Sequence, residues 1–303
     1  MQNRITTGLW RLADPKISIT SLAAMLVGGS TAARVAPVDW TWHGVMFIAL
    51  FCMEVAKNAW GEVYDYDSGT DLAVQPADRT GFSGGKRVMV DQLLTRQQTW
   101  MVALLFGAVG VGLGAVIVFL REPSLFVLGV LGLVLGWSYH GRPLQLVYRG
   151  LGELDVVLCY GPLIVIATFM VQTGSPGMEA LMLSLPLGIL IAAFLWVNEF
   201  PDHDADVSAG KRNLIVMLGK HRASRLLPLI YAIAALLLVL TPLVTTLSTW
   251  ILLGFIYLPF AGMAAWWVWQ EPLDFYRRHP VQPLALLAFV TYAMGVAAGA
   301  LLA

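Results

Sequence analysis

The chain has 303 residues, 58% of them hydrophobic and only 13% charged, and its 19 basic and 19 acidic residues cancel. Soluble domains carry about 25% charged residues, so this composition excludes that class and points to a membrane protein. Zero net charge also excludes a general polyanion-binding role, nucleic acid included, and leaves the placement of charge as the informative quantity.

A helix rising about 1.5 Å per residue needs about 20 apolar residues to cross about 30 Å of hydrocarbon. Nine stretches meet or approach that length: residues 17–35, 42–59, 99–120, 125–139, 154–171, 179–198, 224–244, 249–269 and 283–303. The fourth is short. The first runs on for a full span, which is not the pattern of a cleavable signal. Cys52 and Cys159 fall inside apolar runs, where thiols pack as small hydrophobes, and no CxxC spacing suggests a metal or disulfide framework. No linker or soluble segment interrupts the series, so residues 1–303 read as a single all-α domain, a polytopic bundle of nine transmembrane helices.

Basic residues set the orientation. With the N-terminus cytoplasmic, all the lysines and arginines except Arg34 and Arg121 fall on the inner side. The same arrangement puts the two long loops, 60–98 and 200–223, in the cytoplasm and leaves short, nearly uncharged loops outside. The expected location is therefore the cell membrane, with the N-terminus and both long loops cytoplasmic.

Those two loops follow the most unusual stretches of the sequence. The second span leads into Asn58, Glu62, Asp65 and Asp71, with Gly69 providing a turn; the sixth leads into Asn198, Asp202 and Asp206. Residues three or four apart share a helix face, so Asn58, Glu62 and Asp65 point one way, as do Asn198, Asp202 and Asp206. The shared form, Asn-x-x-x-acid at a helix end, also suggests two related halves. Polar groups on one face at the end of a span are costly and usually functional.

If the two helices are neighbours, about five carboxylates converge. Two like charges about 6 Å apart repel by roughly 3 kcal/mol at an effective dielectric near 20, so cations are expected between them. Oxygen-only ligands favour Mg²⁺ or Ca²⁺ over zinc, and Mg²⁺ typically takes one or two carboxylates plus substrate phosphates. Acid clusters on opposite walls thus suit a diphosphate bridged by Mg²⁺.

Glycine-rich, basic segments follow both clusters: Gly81, Gly84, Gly85, Lys86 and Arg87 after the first, Gly210, Lys211 and Arg212 after the second. Such segments can cradle phosphate oxygens. Tyr139, Arg142, Tyr148 and Arg149, in the inner loop after the fourth span, can add a third wall. Asp67, Asp78, Asp91 and Asp204 read as solvated loop charges. His140, His203 and His221 lack a second ligand at zinc spacing.

These motifs resemble the UbiA superfamily of intramembrane prenyltransferases, from about Pro15 to about Gly219. Three pieces are similar to the 1,4-dihydroxy-2-naphthoate polyprenyltransferases of menaquinone synthesis. They are Tyr64-Asp65-Tyr66 leading to Gly69-Thr70-Asp71, Tyr148-Arg149-Gly150-Leu151-Gly152-Glu153, and Asp206 leading to Ala209-Gly210-Lys211-Arg212. The resemblance implies helices around a central cavity, capped on the cytoplasmic side by the two acidic loops. It also implies Mg²⁺ as cofactor and, as substrates, a polyprenyl diphosphate and an aromatic acceptor.

Carried onto this sequence, Glu62, Asp65, Asp71, Asp202 and Asp206 are metal ligands. Asn58, Asn198, Lys211, Arg212, Arg149, Tyr148 and Tyr139 bind the diphosphate, and Asp65, Asp71 and Asp202 carry catalysis, Asp65 or Asp71 deprotonating the acceptor. Two departures stand out: Gly61-Glu62 replaces the usual Asn-Asp, and Asp14-Pro15-Lys16 replaces the usual Arg-Pro-Lys. Other acceptors (hydroxybenzoate, homogentisate, a tetrapyrrole, a glycerol phosphate) stay open. A cation transporter is disfavoured because its acids would sit near the bilayer midplane. A quinone- or lipid-binding subunit gives no reason for paired acidic motifs. Oligomeric state is not readable.

Overall fold

The computed structural model describes residues 2–302; Met1 and Ala303, the ends of the predicted domain, lie outside them. The described residues are helical throughout, with no strand. An amphipathic helix α1 (Gln2–Ala13) precedes α2 (Pro15–Ala32) and the long α3 (Trp40–Asp67), whose first turn is capped by Asp39 accepting from Thr41 N at 3.0 Å. A single turn, α4 (Thr70–Ala73), opens a cap segment without repetitive structure. Next come α5 (Arg96–Leu120) and α6 (Leu125–Ser138). At the start of α5 a capping box joins Thr95 and Gln98: the Thr95 hydroxyl accepts from Gln98 N at 3.2 Å, and the Gln98 side chain accepts from Thr95 N at 2.9 Å.

Helix α7 (Gly152–Leu158) passes through one π-helical turn, Cys159–Leu163, into α8 (Ile164–Thr173), and Pro162 within that turn accounts for the break in the ladder. The remaining elements are α9 (Met178–Ser208), α10 (Leu214–Leu218) and α11 (Lys220–Val244), then a 3₁₀ stretch Thr249–Tyr257 running into α12 (Leu258–Gln270), and finally α13 (Phe275–Arg278) and α14 (Val281–Leu301).

Each of the nine predicted stretches is helical, but length and apolar composition qualify six as membrane-crossing: α5, α7–α8, α9, α11, the 3₁₀–α12 segment and α14. Helix α6 is short, α2 carries Ser18, Thr20, Ser21, Ser30 and Thr31, and α3 carries Glu54 and Lys57. Two helices run well past the predicted span ends: α3 continues to Asp67 and α9 to Ser208, so both acidic clusters are helical.

Helix α9 is the central element. Of its apolar stretch 72% is buried, against 22% for α5. Leu183, Leu187, Leu190, Ala193, Val197 and Phe200 on α9 are fully enclosed. Helices α5 and α6 instead present Leu104, Leu105, Phe119, Phe126 and Val127 outward, as lipid-facing helices do.

Close helix contact at α9 depends on glycine. A Cβ on Gly188 would lie 2.4 Å from Val157 O and 3.2 Å from Gly161 Cα, so the π turn and α9 touch backbone to backbone. Gly188→Val should therefore destabilise the purified protein by about 2 kcal/mol, read as a fall in Tm of several degrees. An unchanged Tm would mean the helices can part without cost.

Candidate active site

The ends of α3 and α9 meet. Lys211, just beyond α9, places Nζ 2.7 Å from Asp65 of the first cluster and 3.5 Å from Asp206 of the second. Asn213 donates to Asp206 at 2.8 Å and caps α10 through its carbonyl oxygen, which accepts from Val216 N at 2.8 Å. The cation expected between the acid clusters is thus supplied in part by the chain itself. Burial works against the Lys211 ammonium, but the Asp65 and Asp206 carboxylates outweigh it and hold its pKa well above the ordinary lysine value.

Around this bridge lies a cavity of about 130 Å³, whose lining includes Asp65, Asp71, Glu199, Asp202, Asp206 and Lys211 together with Tyr139 and His140. Three carboxylate oxygens in it, Asp71 Oδ2, Glu199 Oε2 and Asp202 Oδ1, are buried with neither a hydrogen-bond nor an ion-pair partner among the described residues. Burial, then the neighbouring Asp65 and Glu62 carboxylates, push the Asp71 carboxyl up to about 9, so at neutral pH it holds a proton that a cation must displace. His140 lies 3.7 Å from Asp65, yet burial pushes its pKa down to about 3, so the imidazole is neutral.

Gly85 forms one edge of the cavity at φ +75°, and a Cβ there would fall 2.2 Å from Asp71 Oδ1. Only glycine both takes that left-handed conformation without strain and lets the cap segment approach so closely.

The other predicted site residues are not on the cavity wall. Asn58 donates to Leu12 O at 2.9 Å, tying α3 to α1. Glu62 accepts from Met89 N at 3.1 Å and lies within hydrogen-bond reach of Asp71, so it backs that residue from behind. Asn198 is half-buried, with its side-chain oxygen unpartnered. Tyr148 is half-buried, Arg149 is exposed and donates to Pro143 O at 3.2 Å, and Arg212 is exposed.

The basic residues of the first glycine-rich segment are engaged elsewhere. Lys86 pairs with Asp14, the residue that departs from the family pattern, and Arg87 pairs with Asp91 at 3.1 Å. The loop acids read as ordinary charges are also in ion pairs: Asp67 with Arg96 at 2.9 Å and Asp78 with Arg277 at 2.5 Å. Sequence reasoning gives Glu199 no role, quotes Glu153 only as the end of the Tyr148–Glu153 motif, and sets His140 aside; the signal for Glu199 is its place beside Asn198 at the end of an apolar helix.

Among the described residues no three acidic, histidine or cysteine side chains converge into a ready-made metal cage. The donor set nevertheless fits Mg²⁺ carried with a diphosphate, because such an ion needs one or two free protein carboxylates and takes its remaining ligands from phosphate and water.

The family description "UbiA prenyltransferase family" matches residues 21–293. The chain belongs to the UbiA prenyltransferase family. As a member it is a multi-pass membrane enzyme that transfers prenyl groups, which decides against the transporter and binding-subunit readings. It is 27% identical over 251 residues to the 1,4-dihydroxy-2-naphthoate octaprenyltransferase of Bacillus subtilis (strain 168), covering 83% of this chain and 78% of that one. It is 30% identical over 231 residues to the 2-carboxy-1,4-naphthoquinone phytyltransferase of Synechocystis sp. (strain ATCC 27184 / PCC 6803 / Kazusa), covering 74% and 70%. A UbiA homolog from Archaeoglobus fulgidus, solved bound to DMAPP and Mg²⁺, shares the fold of this UbiA chain. The TM-score is 0.62 at 14% identity, over 96% of this chain and 99% of that one.

Proposed function

We propose that this UbiA enzyme transfers a polyprenyl group from a polyprenyl diphosphate to 1,4-dihydroxy-2-naphthoate, with Mg²⁺ in the cavity, at the cytoplasmic face of the membrane. The observation that carries the reading is the shared cavity, where Asp71 from α4 and Asp202 from α9 each leave a buried oxygen unpartnered beside the Asp65–Lys211–Asp206 bridge. The naphthoate acceptor is supported by the names of the relatives, Mg²⁺ by the Mg²⁺-bound homolog, and the cytoplasmic face by the bias of basic residues.

Asp71 and Asp202 would hold the ion, with Asp65 and Asp206 as the further carboxylates of the site and Glu62 beside Asp71. Bound Mg²⁺ supplies Lewis-acid neutralisation of the charge that grows on the leaving diphosphate. Lys211 adds a fixed positive charge at the same place, where exclusion of water makes it effective. Tyr139 lines the cavity; Asn198, Tyr148, Arg149 and Arg212 are the further candidates for the diphosphate, whereas the buried Asn58 amide is already given to Leu12 O. The apolar interior below keeps water from the allylic carbon as its bond to oxygen breaks.

Membranes containing the enzyme, given Mg²⁺, a polyprenyl diphosphate and a panel of acceptors, should yield the prenylated naphthoquinol with loss of CO₂, identified by mass spectrometry. EDTA should reduce the yield to background. A product formed only from hydroxybenzoate, homogentisate or another acceptor overturns the naphthoate assignment, and activity indifferent to EDTA overturns the metal's role.

A further inference from the structure

One turn inward from Asp202, Glu199 lines the same cavity, yet the diphosphate-binding reading gives it nothing to do. It is 6% exposed and its Oε2 has no partner. Glu153 at the start of α7 is in the same state: 5% exposed, Oε2 unpartnered, its other oxygen accepting from Leu214 N at 2.6 Å. The two carboxyls lie within hydrogen-bond reach of each other. Out of water, two carboxyls that close make each other's ionisation more costly. Tyr139 faces both from the loop after α6, and Asp202 and Asp206 are the nearest charges on α9 itself.

The other acids of the cavity suit proton transfer poorly. Asp65 and Asp206 are neutralised by Lys211, and Asp71 and Asp202 are the free donors for a cation. A carboxylate bound to a cation is a weak base, whereas Glu199 has no cationic partner among the described residues.

We propose that Glu199 is a catalytic residue that takes the proton from the acceptor's ring hydroxyl, with Glu153 as a positioning residue whose neighbouring carboxyl sets how readily Glu199 accepts it. The proposal rests on the hydroxyarene acceptor of the preceding reading. As the hydroxyl O–H bond breaks, its proton passes to Glu199 and the electron pair left on oxygen moves into the ring. The ring carbon then forms its bond to the allylic carbon, and the diphosphate departs with the pair of the broken C–O bond. On dihydroxynaphthoate the attacked carbon also carries the carboxylate. Its C–C bond breaks, CO₂ leaves, the freed pair restores the ring, and the proton on Glu199 returns to oxygen. The proton is borrowed and given back within one turnover.

The test uses the full-length enzyme in lipid. Glu199→Gln keeps the side chain's size and should lower kcat at least about 100-fold. The donor KM, the Mg²⁺ dependence and the Tm should stay close to wild type. An acceptor made more acidic by ring fluorination should recover at least tenfold of the loss. A kcat near wild type, a loss cured by raised Mg²⁺, or a loss untouched by the acidic acceptor overturns the assignment.

Glu153→Gln keeps an oxygen for Leu214 N–H and should move the acid limb of kcat to lower pH, because Glu199 loses its like-charged partner and ionises more readily. An acid limb that stays put overturns the pairing, and this variant also carries the test if Glu199→Gln fails to fold. Wild-type enzyme with dihydroxynaphthoate decides the acceptor by itself. The Glu199 comparison is made on whichever hydroxyarene the wild type prenylates, so the two readings fail separately.

Discussion

Lys211→Met should lower kcat/KM for the prenyl diphosphate by about 1000-fold and leave the ion-free protein about 3 kcal/mol less stable. Both effects follow from one side chain holding two jobs. In the ion-free state its ammonium is the only counter-charge within 4 Å of Asp65 and Asp206 among the described residues, His140 being neutral, and the Lys211 side chain is only 8% exposed. Methionine fills similar volume but leaves the two acids unpaired, so they must take up protons or spread apart. On the proposed function the same charge faces the leaving diphosphate during transfer, where loss of a fixed donor typically costs about 100- to 1000-fold. Added Mg²⁺ should restore part of the lost Tm by taking over as counter-ion, while activity stays low. A variant with wild-type Tm and activity within tenfold would show that the bridge is incidental.

The helices were legible because burying a membrane span demands a long apolar run, and that demand is written residue by residue. Where they end was less so. Asp65 and Asp206 are polar, and polarity marks the edge of a hydrocarbon layer; it does not stop a helix. The helix α3 stops where Ser68 hands over to Gly69 at φ +83°.

Periodicity marks Asp65 on one helix face and Asp202 and Asp206 on another, the Gly69 turn adds Asp71, and the structure brings those four to one cavity. Periodicity also puts Asn58 and Glu62 on the Asp65 face, whereas their partners are Leu12 O and Met89 N, backbone groups of segments whose docking no local pattern encodes. The engagement of Lys86 by Asp14 is of the same kind, since it joins residues far apart in sequence. Glu199 was missed because it lies off the 198–202–206 face. It gains meaning only when α7 delivers Glu153 beside it.

Asp202→Asn should cost at least about 1000-fold in activity while leaving the ion-free protein as stable as wild type or more so. The opposite signs separate this residue from Lys211. Asp202 makes no ion pair within 4 Å among the described residues; its Oδ1 is buried without a partner, and its carboxyl lies in reach of the Gly84 backbone N–H in the cap. Asp206 and Asp65 are the charges that oppose it. Removing its charge therefore relieves repulsion and orphans no cation, and asparagine retains an oxygen for Gly84. On the proposed function, what the variant loses is the free carboxylate oxygen that would hold Mg²⁺ with the diphosphate. Stabilisation by Mg²⁺ plus diphosphate, which grows as RT ln(1 + [L]/Kd), should then shrink toward zero across a titration in which wild type gains several degrees of Tm. A fall in Tm without ligand would make Asp202 a structural residue. An undiminished gain with ligand would remove it from the cation site and leave Asp71 to hold the ion from one wall alone.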